Sequence, residues 1–371
     1  MTLLSLSACE PLPPSLKLSL REFSYNELPG WGQDSMAEVY PALIKACSEI
    51  SVLNIPMIGD RKVGSWQPFY KALTHLKNPT SIEIQELFQN YLVPYQVRFG
   101  AQFEGFFTGY YEPQLRGSRI KTDLYNVAIY ARPVDLVMIE DLGIFRNELK
   151  GIRIAGYNEK GHLKPYFTRA EIENGALEGR ELELVWVDDV VDAYFMAIQG
   201  SGCILFEDGS KIHLGYAGTN GHPYTSIGKI LVEQGEFTVE AISMQSIRAW
   251  LAAQPEKARS LLEQNQSFVF FRERPEGGPV GAHGVPLIAK RSLAVDRVYI
   301  PLGLPLWLDI EHPDLTQQKL QQLVIAQDTG GAIKGPIRGD FFWGTGPQAG
   351  ELAGVMKSKG SYFVFLPRPL D

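Results

Sequence analysis

From about residue 103 to about 235 the chain reads as short β segments broken by Gly, Asn and Pro: EGFFTGYYEP, VAIYARP, RIAGY, ELELVWVDD, AYFMAIQGSG, CILFEDG and KIHLGYAG. Segments this short cannot bury a face alone, so they have to pair. Many short strands with regular turns predict a barrel. Glu207-Asp208-Gly209-Ser210, between ILF and KIHL, is a hairpin turn by composition. The 36 glycines and 24 prolines of this 371-residue chain, set against short apolar runs, favour the same β-rich, loop-rich class.

On either side the character changes. Met36, Val39, Tyr40, Leu43, Ala46, Cys47 and Ile50 recur at helical spacing, and helical stretches follow near Trp66–Leu76 and Ile82–Tyr91. After 235 helical spacing returns from Met244 to Leu261, broken by Pro255. Strand-like runs then take over at 268–273, 298–310, LVIAQD and YFVFL (362–366). The simplest account is an insertion. Residues 33–102 and 236–371 form one discontinuous unit, 103–235 form a second unit placed inside it, and 1–32 are a leader and a proline-rich tether.

A net charge of −7 without a basic stripe argues against nucleic acid or an anionic membrane surface as the main partner. Cys9, Cys47 and Cys203 are too few for a disulfide framework. No stretch approaches the roughly 20 apolar residues of a membrane-spanning helix. Leu6-Ser7-Ala8 ahead of Cys9 is the order of a bacterial lipoprotein processing site, so a lipidated Cys9 is an expected membrane anchor. The leader as given is short and lacks a positive n-region. The six scattered histidines make no zinc pattern, and nucleophile-elbow, dinucleotide and Walker A motifs are missing. No cofactor is expected.

What remains is carboxylates, glycines and aromatic rings, concentrated in LVIAQDTGGAIKGPIRGDFFWGTG. The run Leu323–Ala326 predicts a buried strand ending at Asp328. Asp340, between Gly339 and the rings of Phe341 and Phe342, is the best acid candidate, because desolvation raises a carboxyl pKa. A solvated loop acid is the bland alternative. Asp328 either supports its neighbour or staples the Gly330-Gly331 turn, and Asp296 suits a turn bonded to nearby backbone. Lys334 either steers a substrate hydroxyl or pairs with an acid. Thr108 to Pro113 offers hydroxyls and rings suited to sugar, or half-buried packing. Gln199-Gly200-Ser201-Gly202 offers an amide and a close backbone approach, or a bulge.

The ordered set FTGYYEP, AIQGSG, LGYAGTNGHPYTSIGKIL, SMQSIRAWL, LLEQNQSFVFF, VPLIAKRSLAVDRVYIPLG and DTGGAIKG…GDFFWGTGPQAGELAG closely resembles the membrane-bound lytic murein transglycosylase A family, with its C-terminal three-aspartate domain. The likeness runs from about residue 103 to the end. It implies a mainly β fold with an α-helical lead-in: a double-psi β-barrel carrying a second, smaller inserted β-barrel. It implies non-hydrolytic cleavage of the β-1,4 bond between N-acetylmuramic acid and N-acetylglucosamine in peptidoglycan glycan strands, leaving a 1,6-anhydro end. It further implies a cell-envelope location, with attachment to the outer membrane. The family's acid/base falls on Asp340, its A-x-D-x-G-G-A-I-K-G aspartate on Asp328, and the first of its three aspartates on Asp296. Glycan contacts fall on Thr108, Gln199, Ser201, Tyr216, Ala217 and Gly218. Two rival readings stand beside it: a hydrolase of the same bond with Asp328 activating water, and a non-catalytic, expansin-like glycan-binding protein.

Overall fold

The computed structural model describes residues 17–53, 55–139, 141–149, 152–274, 278–314 and 318–368, so Cys9 lies outside the described residues. Its strands in chain order begin with β1 (Leu18–Glu22), β2 (Met57–Ile58), β3 (Arg61–Lys62), β4 (Leu92–Phe99), β5 (Gly105–Glu112), β6 (Gln114–Ser118), β7 (Val127–Tyr130), β8 (Leu136–Ile139), β9 (Ile154–Glu159) and β10 (His162–Pro165). They continue with β11 (Glu183–Val187), β12 (Ser201–Leu205), β13 (Lys211–Thr219), β14 (Val269–Arg274), β15 (Ser292–Val295), β16 (Pro305–Glu311), β17 (Lys319–Asp328), β18 (Arg338–Thr345) and β19 (Lys357–Pro367). The chain is mainly β, with helices leading in.

Pairing closes one circuit, β19-β16-β17-β15-β18-β5 and back to β19, while β4 and then β1 extend from β19. Closure matters because it leaves none of those six strands with an open edge. Two pairs in the circuit are parallel, β15 with β17 and β18 with β5. A second sheet has the order β14-β13-β12-β6-β11-β7, and a bridge from Ala131 to Phe271 brings its ends together. Here β5 pairs in the first circuit although it lies within 103–235, and β14 pairs in the second sheet although it lies beyond 235.

Local chemistry explains the helices. Helix 81–91 opens on a capping box in which Thr80 and Glu83 satisfy each other's backbone N–H groups. Pro255 does not interrupt a helix; it starts one, 255–263, directly after helix 244–253. The circuit and the lead-in helices share one core, centred on the fully buried Trp307, whose indole N–H donates to the Pro29 carbonyl at 2.8 Å. A smaller core under the second sheet gathers Leu115, Val185, Met196, Ile204 and Leu214.

Three expectations need correcting. AYFMAIQ is not extended: Val190–Gln199 is a helix, capped by the Asp189 side chain on the Asp192 amide and ended by left-handed Gly200. The tether reading fails for residues 18–32, since β1 pairs with β4 and Leu28 is buried. Within 298–310 only 305 onward is strand, because the preceding residues turn back through Asp296, whose carbonyl accepts from the Tyr299 and Ile300 amides.

One contact allows helix 347–355 to sit on β5. A Cβ on Gly109 would lie 2.6 Å from the Trp343 indole nitrogen and 2.8 Å from the Ala353 Cα. Gly109→Ala is therefore expected to cost about 1–3 kcal/mol of stability, read from urea unfolding. A midpoint equal to wild type would show that the helix can shift freely.

Candidate active site

Side chains alternate along a strand, so Arg338, Asp340 and Phe342 share one face of β18 while Gly339, Phe341 and Trp343 share the other. Register then assembles the neighbourhood. Parallel β5 sets Thr108 beside Asp340 and Tyr110 beside Phe342. On the other side, β15 places the small Ala294 opposite both Asp340 of β18 and Asp328 of β17. Two acids far apart in sequence thus flank one alanine.

Asp340 is half-buried, and its Oδ1 accepts from the Thr108 hydroxyl at 2.5 Å. The same hydroxyl oxygen accepts from an Arg338 Nη at 2.8 Å. Burial pushes the Asp340 carboxyl up to about 6, with the neighbouring Asp328 adding to the rise and Thr108 and Arg338 opposing it. Asp328 is also raised by burial, but more donors favour its charge. The Ala282 and Thr329 amides reach its Oδ1 at 2.9 Å, the Tyr110 hydroxyl reaches Oδ2 at 3.0 Å, and Arg274 adds a positive field. The two environments therefore differ. Burial raises both carboxyls, and hydrogen bonds from two amides and a hydroxyl oppose the rise at Asp328, whereas one hydroxyl and the Arg338 charge oppose it at Asp340.

The rings do not act as the sequence suggested. Phe341 cannot desolvate Asp340, because strand alternation turns it into the core against Trp343, at a centroid separation of 4.9 Å. Phe342 is on the acid's face, tilted 5.1 Å from Tyr110. Tyr110 stands out in the sequence as a ring, and nothing there announces its hydroxyl bond to Asp328. Sequence reasoning missed Arg338 altogether, though its place two residues before Asp340 puts it on the same face.

The other candidates fall into three groups. Gln199 ends its helix with its Oε1 on the Tyr111 amide at 3.1 Å, which ties the second sheet's side of the molecule to the strand carrying Thr108. Buried Glu112 adds a second tie, accepting from His213 Nδ1 at 3.0 Å and from the Thr345 hydroxyl at 2.9 Å. Ser201 pairs with Gly215 on the second sheet. Nearby, a register shift between Tyr216 and Gly218 leaves Ala217 as the extra residue of a bulge, a device that re-aims side chains. Lys334 is exposed in the loop between the acids. Asp296 does not join them: it is buried, and its oxygens take the Val298 amide at 3.1 Å and the Gly335 amide at 2.8 Å, pinning that loop. Two surface concavities of about 460 and 840 Å³, around Phe206 and around Tyr299, include neither Asp328 nor Asp340.

Comparison with known proteins follows the same lines. The MltA specific insert domain family matches residues 106–272, and the 3D domain family matches 291–366. Membrane-bound lytic murein transglycosylase A of Escherichia coli (strain K12) is 36% identical over 269 residues, covering 71% of this chain and 66% of that protein. The chain thus aligns with just under two thirds of that relative's length. A monoclinic crystal structure of MltA from Neisseria gonorrhoeae superposes with a TM-score of 0.81 at 34% identity, over 97% of each chain. The crystal structure of E. coli MltA with bound chitohexaose gives 0.71 at 29% identity, over 95% of each chain. With both domain families matched in order and a near full-length structural relative above 30% identity, the chain belongs to the MltA family of lytic murein transglycosylases.

Proposed function

We propose that this chain is a peptidoglycan lytic transglycosylase in which Asp340 alone serves as acid and then base. The observation that carries the reading is a half-buried carboxyl raised to about 6 beside a second acid whose oxygens are already engaged. Asp340 protonates the glycosidic oxygen as the bond to N-acetylmuramic acid C1 breaks. The C6 hydroxyl of the same sugar attacks C1 and gives its proton to the Asp340 carboxylate, leaving a 1,6-anhydro ring. A nucleophile already attached to the substrate needs little entropy to position. The Asp328 carboxylate faces the positive charge that develops on the sugar. Since its oxygens accept from two amides and Tyr110, Asp328 has little capacity to activate water, which disfavours hydrolysis.

The glycan runs past Thr108, Gln199, Ser201 and the Tyr216–Ala217–Gly218 bulge, with Lys334 at the loop and Asp296 holding that loop in place. The closed six-strand circuit is the double-psi barrel. The second sheet is the inserted barrel, and the pairing of β5 and β14 supports drawing its limits at about residues 114 and 274. The E. coli relative is named as membrane-bound, and another E. coli structure holds chitohexaose. Both support a cell-envelope enzyme acting on glycan strands; its attachment to the outer membrane through a lipidated Cys9 is part of the same proposal and rests on the sequence order Leu6-Ser7-Ala8-Cys9. Among the described residues no helix is long and apolar enough to cross a membrane.

Mass spectrometry of the products released from murein sacculi tests the reaction. Transglycosylation gives sugars lighter by one water, about 18 Da, than hydrolysis does. Reducing-end products would convert the reading to a hydrolase, and binding without release would make it a glycan-binding module.

A further inference from the structure

Arg272 and Arg274 lie two residues apart on β14 and so share one face of that strand. Glu273, between them, turns the other way to pair with Arg119. Neither Arg272 nor Arg274 has an ion-pair partner among the described residues, and the Arg274 Nε is buried without a hydrogen-bond acceptor. A buried guanidinium N–H left without an acceptor is costly, and like charges on one strand face repel. The chain also makes room for this arrangement. A Cβ on Gly215 of β13 would sit 2.2 Å from that Nε and 3.1 Å from the Arg274 Cδ, so only glycine lets the side chain lie there. Gly215 pairs with Arg272 on one side and with Ser201 on the other. Across the junction of the two sheets, Arg274 is close enough for its charge to act on Asp328. Burial and the charge of Arg272 both push the Arg274 guanidinium below its usual value, with Asp328 opposing them. No carboxylate among the described residues pairs with either guanidinium directly, although the charge of Asp328 is felt at Arg274.

We propose that Arg274, cradled over Gly215 and backed by Arg272, is a carboxylate-reading subsite beside the two acids, which recognises an acidic group carried by the muramic acid unit of the glycan. The inference rests on the proposed peptidoglycan substrate and adds a specificity element to it. Chitin-type oligosaccharides carry no carboxylate. Muramic acid carries a lactyl arm, free in peptide-stripped strands and extended by an acidic stem peptide in intact ones. A planar guanidinium suits either carboxylate by bidentate contact.

The test measures dissociation constants in the Asp340→Asn background, so that strands are bound and not cut. The probes are chitohexaose, peptide-free murein glycan strands and peptide-bearing strands. Arg274→Gln is expected to raise the ratio of the murein Kd to the chitohexaose Kd at least about tenfold, as loss of a charge-assisted contact does. Gly215→Ala, which displaces the guanidinium and keeps its charge, is expected to move the ratio the same way, and it decides the matter if Arg274→Gln does not fold. A change confined to peptide-free strands assigns the lactyl carboxylate, and one confined to peptide-bearing strands assigns the stem peptide; either supports the subsite. An unchanged ratio, including equal weakening on neutral and acidic glycans, overturns it. If the parent Asp340→Asn protein binds none of the three glycans, the proposed substrate itself falls, a result visible before any Arg274 variant is compared.

Discussion

Replacing Asp340 by asparagine is expected to lower murein turnover by at least about 1000-fold, because one group supplies both the proton given and the proton taken. Asparagine keeps an oxygen for the Thr108 hydroxyl, now at 2.5 Å from Oδ1. The variant should therefore fold, and its stability should respond to pH in a defined sense. The carboxyl is raised from 3.8 to about 6 in the folded protein. Below pH 3.8 it is protonated in both the folded and unfolded states and costs nothing. Between 3.8 and 6 the unfolded chain ionises first, so the wild type loses stability; above 6 the loss is complete. An amide at this position does not ionise and removes that loss, so the variant should gain about 1–3 kcal/mol over wild type at pH 8 and nothing at the acid end. The same titration sets the rate. The working form is the protonated acid, so wild-type turnover at low substrate should fall tenfold per pH unit above about 6. Residual activity within tenfold of wild type in Asp340→Asn, or a flat profile between pH 6 and 8, would remove Asp340 from the role.

How much of this is legible in the sequence depends on the range of the interaction. Leu323 to Ala326 is fully buried and its strand ends at Asp328, because a short apolar run between polar residues, with the Gly330-Gly331 turn just beyond, states its own burial. The hairpin at 207–210 is local too, with Asp208 accepting from the Ser210 amide at 2.8 Å. Helix 190–199 passes for a strand because a contiguous apolar run has no period, and the deciding signals are its ends, Asp189 and Gly200. The contrast between Phe341 and Phe342 needs only strand alternation, which composition alone does not apply. Other features depend on pairing that no local pattern encodes. Strand β1 exists because Leu18 finds Phe99, and Asp340 meets Thr108 across 232 positions. Arg274 draws meaning from Gly215 on a neighbouring strand and Asp328 in another sheet.

The site is also held from behind, and a second substitution should show how firmly. Arg291 immediately precedes β15, the strand that sets Ala294 between the two acids. Its buried guanidinium bonds Asp34 at 2.7 Å, Glu38 at 3.1 Å, the Ser35 carbonyl at 3.0 Å and the Leu323 carbonyl at 3.1 Å. Asp34 also accepts from the Leu323 amide at 2.9 Å, so one network joins the lead-in segment to β17. Arg291→Met should cost about 3–5 kcal/mol in urea unfolding, since it strands the buried Asp34 carboxylate rather than removing a balanced pair. The double variant Arg291→Met/Asp34→Asn should recover part of that loss, because the residual charge is gone. Glu38 is well exposed, so Glu38→Gln alone should cost under about 1 kcal/mol. A small effect of Arg291→Met, or a double variant worse than the sum of the single ones, would mean that packing of the lead-in helices, and not this charge network, holds the strands that present Asp328 and Asp340.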